Sequence, residues 1–197
     1  MRRIRIVVAY DGTNYCGWQI QPNGITIEEI LNRQISKLTG EDIRIIGASR
    51  TDSGVHALGN VAVFDTESRI PGDRFAYALN QKMPEDIVIV RSDEVQIDWH
   101  PRYQNEISKT YEYHIYNAKV RNPLKNRYST FVSFDLDVEK MRQGAKYILG
   151  EHDFASFCNV RTNAKDTVRT VHEITITEIP MDKFQASNWE QENSNLE

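Results

Sequence analysis

The sequence predicts an α+β fold built from two consecutive ferredoxin-like subdomains with antiparallel sheets and a cleft between them, the second subdomain being incomplete. Residues 2–90 give the element order strand, helix, strand, strand, helix, strand, which is the split β-α-β pattern. After a polar segment the pattern restarts as strand, loop, helix, strand. We therefore expect a first domain over residues 1–105, a truncated α+β domain over 106–180, and a poorly ordered polar tail over 181–197.

The first strand and helix have the clearest local signals. Residues 2–10 are β-rich and alternate in part, which predicts a strand. A helix begins at Thr26, because Thr26 and Glu29 form a capping-box pattern, and Gly40 ends it. Apolar residues recur along it at helical spacing and predict one buried face: Ile27, Ile30, Leu31, Ile35 and Leu38.

The remaining elements follow from shorter patterns. In the first half, strands are predicted at 42–48, 60–65 and 87–90, and a helix from Pro71 to Gln81. In the second half, a strand is predicted from Lys109 to Tyr116, a helix from Val138 to Leu149 and a strand from Val168 to Ile179. Asp137 is the expected cap of the last helix, and Gly150 its stop.

Composition bounds the class of protein. The 197 residues are 40% hydrophobic and 26% charged, which is typical of a soluble globular protein. No apolar run approaches the roughly 20 residues of a membrane span, and the basic N-terminus does not resemble a signal peptide. Two distant cysteines and five scattered histidines lack metal-ligand spacing, so we expect reduced thiols, no metal, no membrane and a cytoplasmic location.

Charge is distributed unevenly. The net charge of −4 argues mildly against nucleic-acid binding. Residues 99–131, however, hold six basic and two acidic residues among seven aromatic ones, a combination suited to phosphates and splayed bases. A ferredoxin-like (RRM-like) sheet also leaves one face free for RNA or a second sheet. An ordinary solvated strand and loop remains an equal alternative for residues 99–131.

The loop from Arg50 to His56 lies between two predicted strands. An arginine beside a carboxylate favours its ionised form, and an ionised carboxylate on a rigid turn can act as a nucleophile or a general base. Gly54 permits a tight turn and close approach of a substrate. The same letters are also common in a simple turn, in which the Asp52 side chain bonds its own backbone. Local pattern alone favours that second interpretation.

Five blocks, in order, resemble the TruA family of tRNA pseudouridine synthases. The 47–57 block, Gly-Ala-Ser-Arg-Thr-Asp-Ser-Gly-Val-His-Ala, resembles the family's catalytic motif. The other blocks are Tyr10-Asp11-Gly12-Thr13 with Tyr15, Gly17, Trp18 and Gln19; Trp99-His100-Pro101-Arg102; Lys109-Thr110-Tyr111-Glu112-Tyr113; and Gly150-Glu151-His152-Asp153-Phe154-Ala155-Ser156-Phe157. Together they span residues 4 to about 179.

This resemblance implies an enzyme that isomerises uridine to pseudouridine in the anticodon stem-loop of tRNA, at tRNA positions 38 to 40, without a metal or organic cofactor. It implies a homodimer, with Asp52 as the catalytic residue. Arg50 is expected to enter the space of a flipped base and pair with Asp52. Tyr111 is expected to stack on the uracil, although its strand position alone favours a tyrosine of the core. His56 is expected to contact the substrate, and a packing role within the loop is an equal alternative. Residues expected to bind tRNA are Gln19, Arg102, Lys109 and Arg121.

The chain departs from the family pattern after Pro180, where the usual strand and Met-Val-Arg helix have no counterpart. We therefore expect an exposed sheet edge and Arg50 as the only basic neighbour of Asp52. A catalytically impaired RNA-binding member of the family is the alternative function. An aspartate-dependent glycoside hydrolase fits poorly, since it needs two carboxylates and this loop supplies one. Asn60 stands where the family commonly has Gln.

Overall fold

The computed structural model describes residues 1–103, 108–158 and 166–179 and has a mixed α/β fold. The chain divides into two compact units, Met1–Glu112 and Tyr113–Glu197, and each is described by itself. The predicted boundary between residues 105 and 106 stays a prediction. The predicted polar tail lies outside the described residues.

The first unit is one four-stranded antiparallel sheet with two helices. Its sheet has the strand order β2-β3-β1-β4, and every pair of neighbours is antiparallel. Its elements are β1 (Arg2–Tyr10), α1 (Ile27–Thr39), β2 (Ile46–Gly47), β3 (Ala57–Thr66), α2 (Phe75–Asn80) and β4 (Ile87–Val95).

The ends of α1 are those that the sequence predicts. The Thr26 side chain accepts a hydrogen bond from the backbone N–H of Glu29, and Gly40 ends the helix in the left-handed region at φ 77°. Its apolar face joins alternate residues of β1 in a single core, in which Ile6 and Leu31 are fully buried. Each such side chain contributes about 1.5–3 kcal/mol by leaving water.

The second predicted strand is shorter than expected. The pattern predicts strand over residues 42–48, but only Ile46–Gly47 pairs with β3. The backbone N–H groups before it bond to α1 instead: Ile43 donates to Ser36 Oγ, and Ile45 donates to Asn32 Oδ1, both at 2.9 Å. Because these donors are satisfied by helix side chains, no neighbouring strand is needed there.

Two other predictions for the first unit change in extent. The strands predicted at 60–65 and 87–90 run longer, as β3 and β4, because β1 pairs with both along its length. The helix predicted from Pro71 to Gln81 is a short 3₁₀ helix, Gly72–Arg74, followed by α2. Pro71, predicted as the first helical residue, lies just before the first turn instead.

The sheet face opposite the helices is partly covered by the chain itself. Residues 96–103 leave edge strand β4, and the Trp99 carbonyl accepts a hydrogen bond from Arg3 on β1 at 2.9 Å. Arg102 Nε then donates to the Gly47 carbonyl on β2, the other edge strand, at 2.8 Å. The segment therefore crosses the sheet, and this face is less open than the sequence predicts.

The second unit has small sheets and no buried side chain among its described residues. A parallel pair joins β5 (Ile115–Asn117) to β6 (Thr130–Val132), and an antiparallel pair joins β7 (Gly150–Asp153) to β8 (Val168–Val171). Helix α3 spans Val138–Ala145, and the Asp137 side chain caps it by accepting from the Lys140 N–H.

Three predictions for this half of the chain are wrong in extent. The strand predicted from Lys109 starts only at Ile115, because the residues before it have no paired strand. The helix predicted to reach Leu149 ends at Ala145, next to Gly144, a poor helix former. The strand predicted over 168–179 ends at Val171, where its pairing with β7 ends. No helix in the described parts of the chain has the length and apolar character that crossing a membrane requires.

Candidate active site

The loop between β2 and β3 carries Asp52 on a tight turn. The Asp52 carbonyl accepts a hydrogen bond from the Val55 N–H at 3.1 Å, and Gly54 has φ 79°. A positive φ at the third residue is what a type II turn requires, and glycine adopts it without strain. The Asp52 side chain is exposed and has no hydrogen-bond or ion-pair partner among the described residues. The alternative in which this side chain caps its own turn is therefore wrong.

Two contacts fix Thr51, the residue before Asp52. The Tyr10 hydroxyl shares a hydrogen bond of 2.9 Å with Thr51 Oγ1, and the Trp18 N–H donates to the Thr51 carbonyl at 3.0 Å. Tyr10 and Trp18 are both buried. Burial raises the pKa of Tyr10, so its phenol stays protonated and available for the bond.

A third residue holds the turn on the other side of Asp52. The Tyr15 carbonyl accepts from Ser53 Oγ at 3.2 Å and from the Gly54 N–H at 3.3 Å. The Tyr15 hydroxyl in turn donates to Asp86 Oδ1 at 2.5 Å. Burial, and then the adjacent Asp86 carboxylate, raises the pKa of Tyr15 far above its usual value.

The loop after β1 (residues 11–26) and the Asp52 loop (residues 48–56) pack so closely that glycine is required at two positions. A Cβ on Gly12 would lie 2.0 Å from the Val55 carbonyl oxygen. A Cβ on Gly17 would lie 2.5 Å from the Thr51 carbonyl oxygen, and Gly17 also has φ 82°. The two loops therefore form one packed layer beneath Asp52.

His56 contacts the loop after β1. Its Nδ1 lies 3.0 Å from Asp11 Oδ1 and 3.2 Å from the Gly12 nitrogen. A protonated Nδ1 donates to the carboxylate, whereas an unprotonated Nδ1 accepts from the Gly12 N–H, so only one of the two bonds forms at a time. Substrate contact by His56 stays a prediction.

A cleft of about 230 Å³ opens beside Asp52. It brings together three of the residues singled out by sequence, Gln19, Arg50 and Asp52. Its other lining residues are Cys16, Ile20, Gln21, Thr51 and Ser53. Cys16 is a free thiol.

The predicted ion pair between Arg50 and Asp52 is absent. No nitrogen of Arg50 lies within 4.0 Å of an Asp52 carboxylate oxygen, although both side chains line the cleft. Both are exposed, and an ion pair between exposed groups gains only about 0–1 kcal/mol, which does not fix two mobile side chains.

The other predicted residues lie elsewhere. Tyr111 is 86% exposed in an irregular segment, and Lys109 is exposed in the same segment. Neither lines the cleft. Arg102 bonds the Gly47 carbonyl, just before the Asp52 loop, and in the second unit the Arg121 guanidinium lies 4.9 Å from the centre of the Phe131 ring.

Two residues help to hold the loops around Asp52 in ways that the sequence does not predict. Asn60 Nδ2 donates to the Ser49 carbonyl at 3.0 Å and so holds the start of the loop. Asp86 anchors Tyr15, yet it lies in a turn with no motif to mark it. No group of three His, Cys, Asp or Glu side chains suited to a metal ion occurs within the described residues.

Comparison with known proteins identifies the family of the chain. A family model described as tRNA pseudouridine synthase matches residues 6–104 and 145–189. The tRNA pseudouridine synthase A of Acetivibrio thermocellus is 49% identical over 176 residues, covering 89% of this chain and 72% of the relative. That of Ruminiclostridium cellulolyticum is 44% identical over 189 residues, covering 95% of this chain and 77% of the relative.

A third relative, the tRNA pseudouridine synthase A of Brevibacillus brevis, is 44% identical over 179 residues, covering 91% of this chain and 73% of the relative. The family match and these identities confirm the resemblance found in the sequence motifs. The chain therefore belongs to the TruA-type tRNA pseudouridine synthases, a family of isomerases.

Proposed function

We propose that this chain converts uridine to pseudouridine in the anticodon stem-loop of tRNA, at tRNA positions 38 to 40, with Asp52 as the catalytic carboxylate. Relatives named tRNA pseudouridine synthase A support tRNA as the substrate. The reaction breaks the bond from ribose to base nitrogen and forms a bond from ribose to base carbon. The nitrogen gains a proton and the carbon loses one, so the composition of the RNA does not change.

One observation carries this proposal: Asp52 has a fixed backbone and an uncommitted side chain. Neighbouring residues hold the turn on both sides, while the carboxylate accepts no hydrogen bond from any described residue. A reacting group needs this combination, because its position must be accurate and its lone pairs must be available to the substrate.

The cleft beside Asp52 supplies polar groups for an everted uridine. A base inside a helix must leave its stack before chemistry can reach its glycosidic bond. Arg50 has no ion-pair partner among the described residues, so its guanidinium is available for a phosphate or a uracil carbonyl. The Gln19 amide on the same cleft can pair with the uracil edge.

The exposed residues outside the cleft are proposed to bind the RNA. Tyr111 presents an aromatic face to solvent, which favours stacking on a base. Lys109 and Arg121 are exposed basic residues suited to phosphate contacts. For Arg102, Nε is committed to Gly47, so a phosphate contact uses the other guanidinium nitrogens.

The central experiment is the Asp52→Asn variant. Unmodified tRNA is incubated with each protein, and pseudouridine is mapped by chemical adduct formation. The variant keeps the side-chain size but removes the charge, so we expect product at background level. Asp42→Asn is the matched control, because Asp42 is exposed, lies outside the cleft and precedes the same loop. Equal product from Asp52→Asn and wild type would refute the assignment.

The tRNA position is tested by substrates in which each uridine from 38 to 40 is replaced by cytidine. Product should disappear at each replaced position and persist at the others. Product that maps to another arm of the tRNA would contradict the anticodon assignment while leaving the activity itself intact.

A catalytically impaired RNA-binding protein is the second candidate. It is favoured by the second unit, none of whose described side chains is buried, so that unit has little core of its own. Salt-sensitive tRNA binding by the wild-type chain without any product would support this candidate over the enzyme.

Assembly and location complete the proposal. We propose a homodimer, since the second unit exposes large apolar side chains such as Leu124 and Phe157, which association could cover. Analytical ultracentrifugation tests this, and a monomer at micromolar concentration would contradict it. The ferredoxin-like assignment is supported in the first unit by the strand order β2-β3-β1-β4. A cytoplasmic location is proposed because tRNA is the substrate.

A further inference from the structure

Asp86 holds the loop after β1 at three points. Its Oδ1 accepts from the Tyr15 hydroxyl at 2.5 Å, and its Oδ2 accepts from Asn14 Nδ2 at 3.3 Å. Its backbone carbonyl accepts from the Asp11 N–H at 3.0 Å. Asp86 itself is half-buried in the turn that leads into β4. Asp86 therefore holds three residues of the loop after β1, although it is more than 70 positions away in the sequence.

Tyr15 connects Asp86 to the Asp52 turn, because its hydroxyl bonds the first and its carbonyl bonds the second. Tyr15 is 7% exposed, and its carbonyl accepts from Ser53 Oγ and from the Gly54 N–H, which belong to the two residues after Asp52. The ring and the carbonyl belong to one residue, so a backbone shift that follows release of the ring changes both bonds. The Tyr15 phenol stays a donor at neutral pH, because burial and the neighbouring carboxylate raise its pKa.

We propose that Asp86 is a positioning residue for Asp52 and that it acts through Tyr15. The inference rests on the proposed function, in which Asp52 is the catalytic carboxylate. Asp86 is not among the residues that line the cleft, so we assign it no direct contact with the substrate. The bond from Tyr15 to Asp86 has a charged acceptor, and a bond of that kind is stronger than one between neutral groups.

The test separates positioning from general stability. Tyr15→Phe and Asp86→Ala each remove the same bond, and each should lower kcat about tenfold while KM for tRNA stays within about twofold. The double variant should be no slower than the slower single variant, because the bond is lost only once. Asp86→Asn keeps an oxygen acceptor and should recover much of kcat.

Asn80→Ala is the matched control. Asn80 makes two side-chain bonds to the Ile89 backbone in the neighbouring part of β4, at 2.8 and 2.9 Å, and makes none to the loop after β1. This variant should lower the unfolding temperature without changing kcat. If Tyr15→Phe and Asp86→Ala behave as Asn80→Ala does, or if their effects multiply in the double variant, the positioning role is overturned.

Amide hydrogen exchange gives a second measurement that needs no activity. The peptide covering residues 50–56 should exchange faster in Tyr15→Phe and Asp86→Ala than in Asn80→Ala, because the Gly54 N–H loses a fixed acceptor. If the wild-type chain makes no pseudouridine, the proposed function fails. The exchange measurement still shows whether Asp86 and Tyr15 hold the Asp52 turn in place. Unchanged exchange in residues 50–56 overturns the inference.

Discussion

Replacement of Gly12 by alanine tests how strongly the loop after β1 fixes the Asp52 turn. Gly12 is buried and does not need a positive φ, so alanine is compatible with its backbone conformation. The obstacle is steric. The added Cβ would lie 2.0 Å from the Val55 carbonyl oxygen and 2.7 Å from the Val55 carbonyl carbon.

The size of the effect follows from that distance. Ordinary van der Waals contact begins at 3.4 Å, so the two backbones must separate by up to 1.4 Å, the difference from 2.0 Å. Both atoms in conflict belong to the backbone, so a side-chain rotation cannot relieve the clash. Overpacking of this kind costs about 1–3 kcal/mol of stability. A displacement near 1 Å at a reacting group lowers its rate roughly 100-fold.

The assay measures pseudouridine formation under single-turnover conditions, with thermal unfolding followed in parallel. Gly59→Ala is the matched control, because Gly59 lies in β3 just after the same loop and its added Cβ meets only Val7 Cγ1 at 3.6 Å. Gly12→Ala should be about 100-fold slower at a temperature where it is folded, and Gly59→Ala should be close to wild type. Wild-type rates in folded Gly12→Ala would refute the coupling of the two loops.

Two more variants and a titration extend this reasoning. Asn60→Ala leaves the half-buried Ser49 carbonyl without its donor, so we expect a loss of about 0.5–1.5 kcal/mol in urea unfolding and a lower kcat. Asn60→Gln keeps an amide and should lose less. Tyr10 and Tyr15 have pKa values raised above 10.0, so the folded state binds their protons more tightly than the unfolded chain does. The contribution of these two groups to stability should therefore be full below about pH 10 and fall as the pH rises further. Tyr15→Phe should reduce the loss of unfolding free energy between pH 9 and pH 11, measured by unfolding curves. An unchanged loss would contradict the role given to the Tyr15 proton.

The first unit could be predicted well because its signals are local and repeated. The cap at Thr26 and the stop at Gly40 are settled by hydrogen bonds within a few residues. Alternation along β1 is enforced by one buried face and by partners on both sides. The short β2 could not be foreseen, since its missing part depends on Asn32 and Ser36 of α1 accepting from the backbone.

The second unit was predicted less accurately for a related reason. The pattern from Lys109 to Tyr116 has strong β propensity, but a strand also needs a partner. Only Ile115–Asn117 obtains one, in parallel with Thr130–Val132. Tyr111 and Tyr113 are 86% and 77% exposed, so burial does not hold their backbone extended. Propensity alone therefore overstated the length of this strand.

The candidate site divides in the same way. Motif resemblance predicted Asp52, Arg50 and Gln19, and the structure brings them to one cleft. It did not predict Asp86, because a single carboxylate in a turn carries no signal until the fold brings Tyr15 to it. The expected pair of Arg50 and Asp52 was inferred from adjacency along the chain. On an exposed turn, a separation of two residues does not fix the direction of one side chain relative to the other.

Asp11 and Asp52 show why the site needs external bracing. Asp11 follows β1 and Asp52 follows β2, and each residue lies at the start of a tight turn. The Asp11 carboxylate accepts from the Thr13 N–H at 3.0 Å and so stabilises its own turn. Asp52 makes no such bond, and its turn is held instead by Tyr10, Tyr15 and Trp18. A carboxylate that stabilises its own turn has committed its lone pairs, and a substrate must then compete for them. By placing the stabilising contacts on the backbone around Asp52, the fold leaves that carboxylate available for chemistry.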